Sequence, residues 1–119
     1  MKLDKDLMRD ILLAVEAHPE PSANYVPLDL PEHDAEVVSY HVMLLAEGGF
    51  LKAMDVSDKS QLEWYPQRLT HSGHEFVATI RDGEVWGKTK AVASKVGGVS
   101  VAFVWELAKA EVKSKLGLP

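Results

Sequence analysis

The chain has 119 residues, 46% hydrophobic and 26% charged, proportions that fit one soluble globular domain. It contains no cysteine, which excludes a disulfide scaffold, a thiolate zinc site, an iron–sulfur cluster and a cysteine nucleophile. The net charge of −5 is uneven, with 15 Asp/Glu against 7 Lys/Arg in residues 1–83 and 3 glutamates against 6 lysines in residues 84–119, so the field of the whole chain does not favour nucleic acid.

In chain order, a first helix is predicted from Asp4 to Ala17. Asp4 and Asp6 sit where carboxylates favour a helix N-terminus, and Leu7, Ile11, Leu12 and Val15 recur at helical spacing. His18-Pro19 ends it, because the residue before a proline avoids the helical region. Pro19, Pro21 and Pro27 then make a loop, and Val26 to Leu30 reads as a short strand before Pro31. A second helix is expected from Asp34, as N-cap, to Glu47, with Gly48-Gly49 as its stop.

Phe50 to Val56 and Glu63 to Leu69 read as the strands of a hairpin, and Pro66 places the second strand at a sheet edge. Thr70 caps a third helix that runs to Arg81, and Asp82-Gly83 breaks it. A fourth helix from Glu84 to Val96 stops at Gly97-Gly98. Ser100 then caps a last helix to Leu116, with Val101, Val104, Trp105, Ala108 and Val112 on one face and Phe103 and Leu107 widening it.

The fold class expected is α+β. A winged-helix-like body over residues 1–82 runs helix, short strand, helix, β-hairpin, helix. A C-terminal helical hairpin over residues 83–119 packs on that body or dimerises. The opening ten residues are polar, with Asp4, Asp6 and Asp10 offsetting Lys2, Lys5 and Arg9, where a secretory leader needs a basic tip and an apolar core, and no apolar run approaches the ~18 residues of a membrane span. A cytoplasmic protein with no membrane partner is the expectation.

Two segments sharpen the fold expectation. Val38 to Leu51 resembles the recognition helix and following turn of bacterial winged-helix regulators, and Arg68 to Phe76 resembles the exit from their wing into the next helix. Nearly end to end, the chain is similar to a family of small bacterial and prophage proteins known as domain of unknown function 2513. The matching pieces are Met1 to Glu16, Tyr40-His41 with Leu44 to Gly49, Leu69-Thr70 with Gly73 to Phe76, and Trp86 with Lys88 and Lys90. The resemblance implies a winged-helix-type fold and a DNA-associated role. It implies no mechanism, because function resides in a site and not in a fold.

If Val38, Val42 and Leu45 face the core, the second helix turns Glu36, Val37, Ser39, Tyr40, Met43, Leu44 and Glu47 outward. None is basic, whereas a helix that reads the major groove needs donors for base edges and phosphates. Ser39 and Tyr40 are the two groups there able to reach a phosphate. The basic side chains for double-stranded DNA lie instead in the hairpin, at Lys52, Lys59 and Arg68, opposed by Asp55, Asp58 and Glu63. Val37, Met43 and Leu44, together with Trp105, read as a surface for a protein partner.

Enzymatic readings are weaker. His71 and His74 are three apart with Glu75 beside them, but no third metal ligand can be named and the order is not that of a zinc-protease helix. His41 reads as a core histidine bonded to a backbone carbonyl, and Trp86 and Trp105 as packing between helices. No catalytic residue, metal or cofactor is expected. Two functional readings stay open: a DNA-associated regulator of transcription-factor type, and an acidic protein–protein interaction module binding a host or phage protein. The wide apolar arc of residues 100–116 argues besides for a homodimer through residues 84–116.

Overall fold

In the computed structural model, which describes residues 1–22 and 24–119, side-chain caps set where four of the five helices begin. α1 (Lys5–Ala17) starts where Asp4 Oδ1 accepts the Leu7 N–H at 3.0 Å. α2 (Ala35–Glu47) follows Asp34, which holds the cap position without a side-chain bond. β1 (Leu51–Asp55) and β2 (Trp64–Leu69) come next, then α3 (His71–Ile80), begun by Thr70 Oγ1 accepting the Gly73 N–H. α4 (Gly83–Ala93) is capped by the Asp82 carboxylate, and α5 (Val101–Lys115) by the Ser100 hydroxyl. The expected α+β layout is present. α4 is shorter at its end than the periodicity suggests, because residues 94–96 leave the helix before the glycine pair. Among the described residues, no helix is long and apolar enough to cross a membrane.

The sheet is the antiparallel pair β1–β2. Leu51 faces Leu69 and Lys52 faces Arg68; the register then slips, so that Ala53 faces Pro66, Met54 faces Tyr65 and Asp55 faces Trp64. The slip leaves Gln67 as an extra residue, a bulge beside a proline that has no N–H to give to a ladder. The stretch Val26 to Leu30, expected as a strand, does not join this sheet as one. Among the described residues it is joined to β2 by one backbone bond, Val26 N–H to the Pro66 carbonyl at 2.7 Å, and the ladder does not continue.

One apolar cluster unites the chain. Leu7, Met8, Ile11 and Leu12 of α1 meet Val42 and Leu45 of α2, Phe76, Val77 and Ile80 of α3, and Trp86, Val101, Val104 and Ala108 of the C-terminal helices. The α4–α5 hairpin therefore packs on the body, and the core runs across the 82/83 boundary. Much of the wide arc of α5 is used internally: Val101, Val104 and Ala108 are buried, and the Trp105 ring lies 5.5 Å from Phe50 and 6.0 Å from Phe76. Phe103 stays 48% exposed.

Two constraints fix how α2 and α3 sit. A Cβ on Gly73 would fall well inside contact distance of the Phe50 carbonyl oxygen, so only glycine lets the first turn of α3 lie on the backbone of residue 50. That same carbonyl accepts the Thr70 N–H at 3.1 Å, and Thr70 Oγ1 donates to the Gly49 carbonyl at 2.6 Å. Gly49 itself has φ 86°, the left-handed turn that stops α2. On the buried side of α2, His41 is 1% exposed, with Nδ1 2.8 Å from the Val37 carbonyl and Nε2 2.8 Å from the Asp4 N–H. An Nε2 that accepts from an amide leaves Nδ1 to donate, so this is the neutral ring carrying its proton on Nδ1.

Candidate functional site

The structure offers two surfaces, a groove and a basic pair. The groove has a volume of about 500 Å³ and lies between the segment 25–31, the first turns of α2 and the outer end of the hairpin. Its walls follow from local chemistry. Pro27 and Pro31 stiffen one wall, which runs from Tyr25 to Leu30 without a turn or bend. The wall is tied to β2 at one end by the Val26–Pro66 bond, by the stacked rings of Tyr25 and Tyr65 at 5.0 Å, and by Gln67 Nε2 donating to the Asn24 carbonyl. β2 is pinned to α2 where Ser39 Oγ accepts the Trp64 N–H at 3.0 Å. Glu36 Oε1 accepts the Leu62 N–H at 3.3 Å, which draws the end of the hairpin over the same helix.

The lining is apolar and aromatic at Leu28, Leu30, Val38, Leu62, Trp64 and Tyr65, and acidic at Asp29, Glu36 and Glu63. Among the described residues no lysine or arginine lines it, and His33 does. Glu63 accepts from the Tyr65 hydroxyl at 2.9 Å, and this bond to a carboxylate holds the phenol above its ordinary range. The negative field extends beyond the rim. Asp10 on α1 is pushed above the usual carboxylate range by partial burial and then by the Asp6 carboxylate, with Glu32 adding to the push while Arg9 and His33 oppose it. Among the described residues, the N–H groups of Leu28, Asp29 and Leu30 have no acceptor, and those of Leu28 and Leu30 alternate onto the edge from which Val26 donates to β2.

The basic pair is the second surface. Lys52 and Arg68 are directly opposite on the two strands and both exposed. Like charges in that relation repel across a sheet. Arg68 Nη1 donates to the Leu69 carbonyl at 3.1 Å. Lys59 does not join them, contrary to the expectation of a cluster of three. It lies in the loop at the far end of the hairpin, with Asp55, Asp58 and Glu63 for neighbours in sequence. Hydrogen bonds from Ser57 hold Asp55 below the ordinary carboxylate range, and those from Ser60 and then Gln61 do the same for Asp58, so the loop is anionic at neutral pH.

The remaining residues singled out in the sequence divide differently. Ser39 is a correction: it is 6% exposed and its hydroxyl is engaged by Trp64, so it is not an outward group for a phosphate. Tyr40 is half-buried, edge-on to His41 at 5.9 Å. Val37 and Leu44 are partly buried against the core, and Met43 is half-buried. Trp105 is also corrected as an open contact surface, since it packs on Phe50 and Phe76 and is covered by Lys109 Nζ at 4.0 Å from the ring centroid. His71 Nε2 meets Glu75 Oε1 at 2.6 Å, one helical turn along the surface of α3.

The groove residues Leu28, Asp29, Leu30, Leu62 and Trp64 are the ones that sequence reasoning missed as a set. A signal was present, since Pro27-Leu-Asp-Leu-Pro31 is an apolar stretch bracketed by prolines and therefore barred from forming a regular ladder.

Comparison with known proteins gives a consistent result. The sequence model of the family described as "Hypothetical protein (DUF2513)" matches residues 2–100. An "Uncharacterized protein" of Haemophilus influenzae is 32% identical over 117 residues, which is 98% of this chain and 99% of the relative. No solved structure matches the chain.

Proposed function

The chain belongs to the DUF2513 family, and from its groove we propose that it works as a protein-binding module rather than by chemistry on a small substrate. One observation carries the reading: an apolar, aromatic groove that carries Asp29, Glu36 and Glu63 and, among the described residues, no lysine or arginine, and whose outer wall has backbone N–H groups without an acceptor among those residues. Protein interfaces are built from such parts, with aromatic anchors at the centre and polar groups around them. Its volume lies within the range of sites that bury a ligand rather than graze it. The test is capture of a partner from native extract by the wild-type chain and by Ala35→Arg, which places a long cation at an exposed lining position. The reading expects a partner retained by the wild type and released by the variant. Equal retention would move the interaction to another face.

A second reading keeps the DNA-associated role and rests on the Lys52–Arg68 pair, two exposed cations held side by side at the base of the hairpin. It gives weak binding that depends strongly on salt, since few phosphates are met and α2 offers no basic side chain to the bases. Titration with random duplex DNA at low salt checks it. Binding abolished by changing Lys52, Lys59 and Arg68 together to alanine, and little altered by Tyr40→Phe, favours this reading. Binding that survives the triple change removes it.

A further inference from the structure

Resting on the protein-binding reading of the groove, we infer that its occupant is an extended segment of a partner protein in which lysine or arginine alternates with apolar residues. Shape comes first. One wall is the unbent stretch from Tyr25 to Leu30, the other is β2, and the Val26–Pro66 bond joins them at one end. An extended residue fills about 160 Å³, so 500 Å³ takes about three residues of such a chain. A helix, about 10–12 Å across with its side chains, would spend the same volume on roughly one turn. Counted from the Val26 N–H, which donates to β2, the alternation of an extended backbone puts the Leu28 and Leu30 N–H groups on the same edge, and these are what an added strand satisfies, whereas a helix has already used most of its own carbonyls.

Charge decides the side chains. Asp29, Glu36 and Glu63 line the groove, among the described residues without a lysine or arginine, and Asp6, Asp10 and Glu32 lie on the adjoining surface, partly offset by Arg9. Asp6 is already engaged by Lys90 at 2.9 Å, but among the described residues none of the three rim carboxylates is in an ion pair. Leu28, Leu62 and Trp64 receive the apolar positions, and the alternating cations, which an extended chain turns to the opposite side, meet the rim carboxylates. An acidic segment would be repelled, and a neutral one would leave the rim unpaired.

The test uses three labelled peptides of about nine residues, with valine at alternate positions and lysine, serine or glutamate between, titrated by fluorescence anisotropy against the full chain. The lysine peptide should bind at least about tenfold more tightly than the serine peptide, with an advantage that shrinks as salt is raised, and the glutamate peptide should not bind. Ala35→Arg should abolish binding of the lysine peptide. Asp29→Asn with Glu36→Gln, which keeps the acceptor for Leu62 N–H, should weaken it about fivefold and leave the serine peptide unchanged. Glu84→Gln with Glu106→Gln, on the C-terminal helices, should change nothing. Lysine and serine peptides that bind equally and are both displaced by Ala35→Arg would overturn the basic-segment inference while leaving the groove as a protein site. Binding insensitive to Ala35→Arg, or no binding by any peptide, would overturn both. Weakening by the Glu84/Glu106 change instead of the Asp29/Glu36 change would show attraction by overall charge, and would overturn the inference.

Discussion

The two sides of α2 are held in opposite ways. On its buried side, and on through the Gly49 turn to the start of α3, each contact has a single solution: His41 uses both ring nitrogens, Thr70 bonds in two directions, and Gly73 leaves no room for a methyl group. On its other side, the groove is bounded by a segment that meets β2 through one backbone bond and by a carboxylate reaching a loop amide. Tight definition on one face and unspent hydrogen-bonding capacity on the other is what separates a structural contact from a surface kept for another molecule. The difference teaches where substitutions should cost stability and where they should cost only binding.

The sharpest way to break this contrast is Gly73→Ala. Relief of the overlap with the Phe50 carbonyl requires α3 to move as a unit, and a loss of about 3 kcal/mol in urea unfolding is expected. A loss under about 0.5 kcal/mol, the range of an ordinary surface change, would show that the junction is slack. His41→Phe keeps a ring in the core but leaves the Asp4 N–H without an acceptor, for an expected loss of about 2 kcal/mol. Thr70→Val preserves shape and removes the cap of α3 and the bond to Gly49, worth about 1 kcal/mol by the same measurement. On the groove side, Ala35→Arg should alter unfolding by less than about 0.5 kcal/mol while removing partner binding.

The smallest effect is a pH dependence at Asp10. Its folded carboxyl is raised above the ordinary value by partial burial and by Asp6, so the folded state holds that proton more tightly than the unfolded chain does. The ionised form therefore weighs slightly against folding above the raised value, and that burden disappears as pH falls through it. Asp10→Asn should give a small gain in thermal stability at neutral pH and none in acid. A gain that persists unchanged in acid would mean that the neighbouring carboxylates do not act on it.

Much of the rigid side was legible in the sequence. Thr70 and Ser100 cap as their residue types demand, whereas Asp34, also expected as a cap, holds its position without a side-chain bond; Gly48-Gly49 stops α2, and the apolar spacing of residues 7–15 and 76–80 gives the core faces. His41 as a core histidine on a backbone carbonyl was readable because a lone imidazole on an apolar helix must satisfy its nitrogens. The groove was not legible, because its walls come from residues some 35 apart in sequence and its form depends on a strand that did not materialise at Val26–Leu30. Helical periodicity likewise placed Ser39 outward. It is inward because β2 returns across α2 at Trp64, a long-range contact that spacing within one helix does not encode. The separation of Lys59 from Lys52 and Arg68 has the same origin, since the register of a hairpin decides which of its charges are neighbours.

The most direct test of the groove as the working surface is a residue-by-residue amide titration of the chain by nuclear magnetic resonance with the lysine–valine peptide. Shifts are predicted to be confined to residues 25–31, 35–39 and 61–66, largest at the amides of Leu28 and Leu30, which have no acceptor among the described residues. Shifts centred instead on Lys52 and Arg68 or on α4 and α5, with residues 28–30 unmoved, would contradict it.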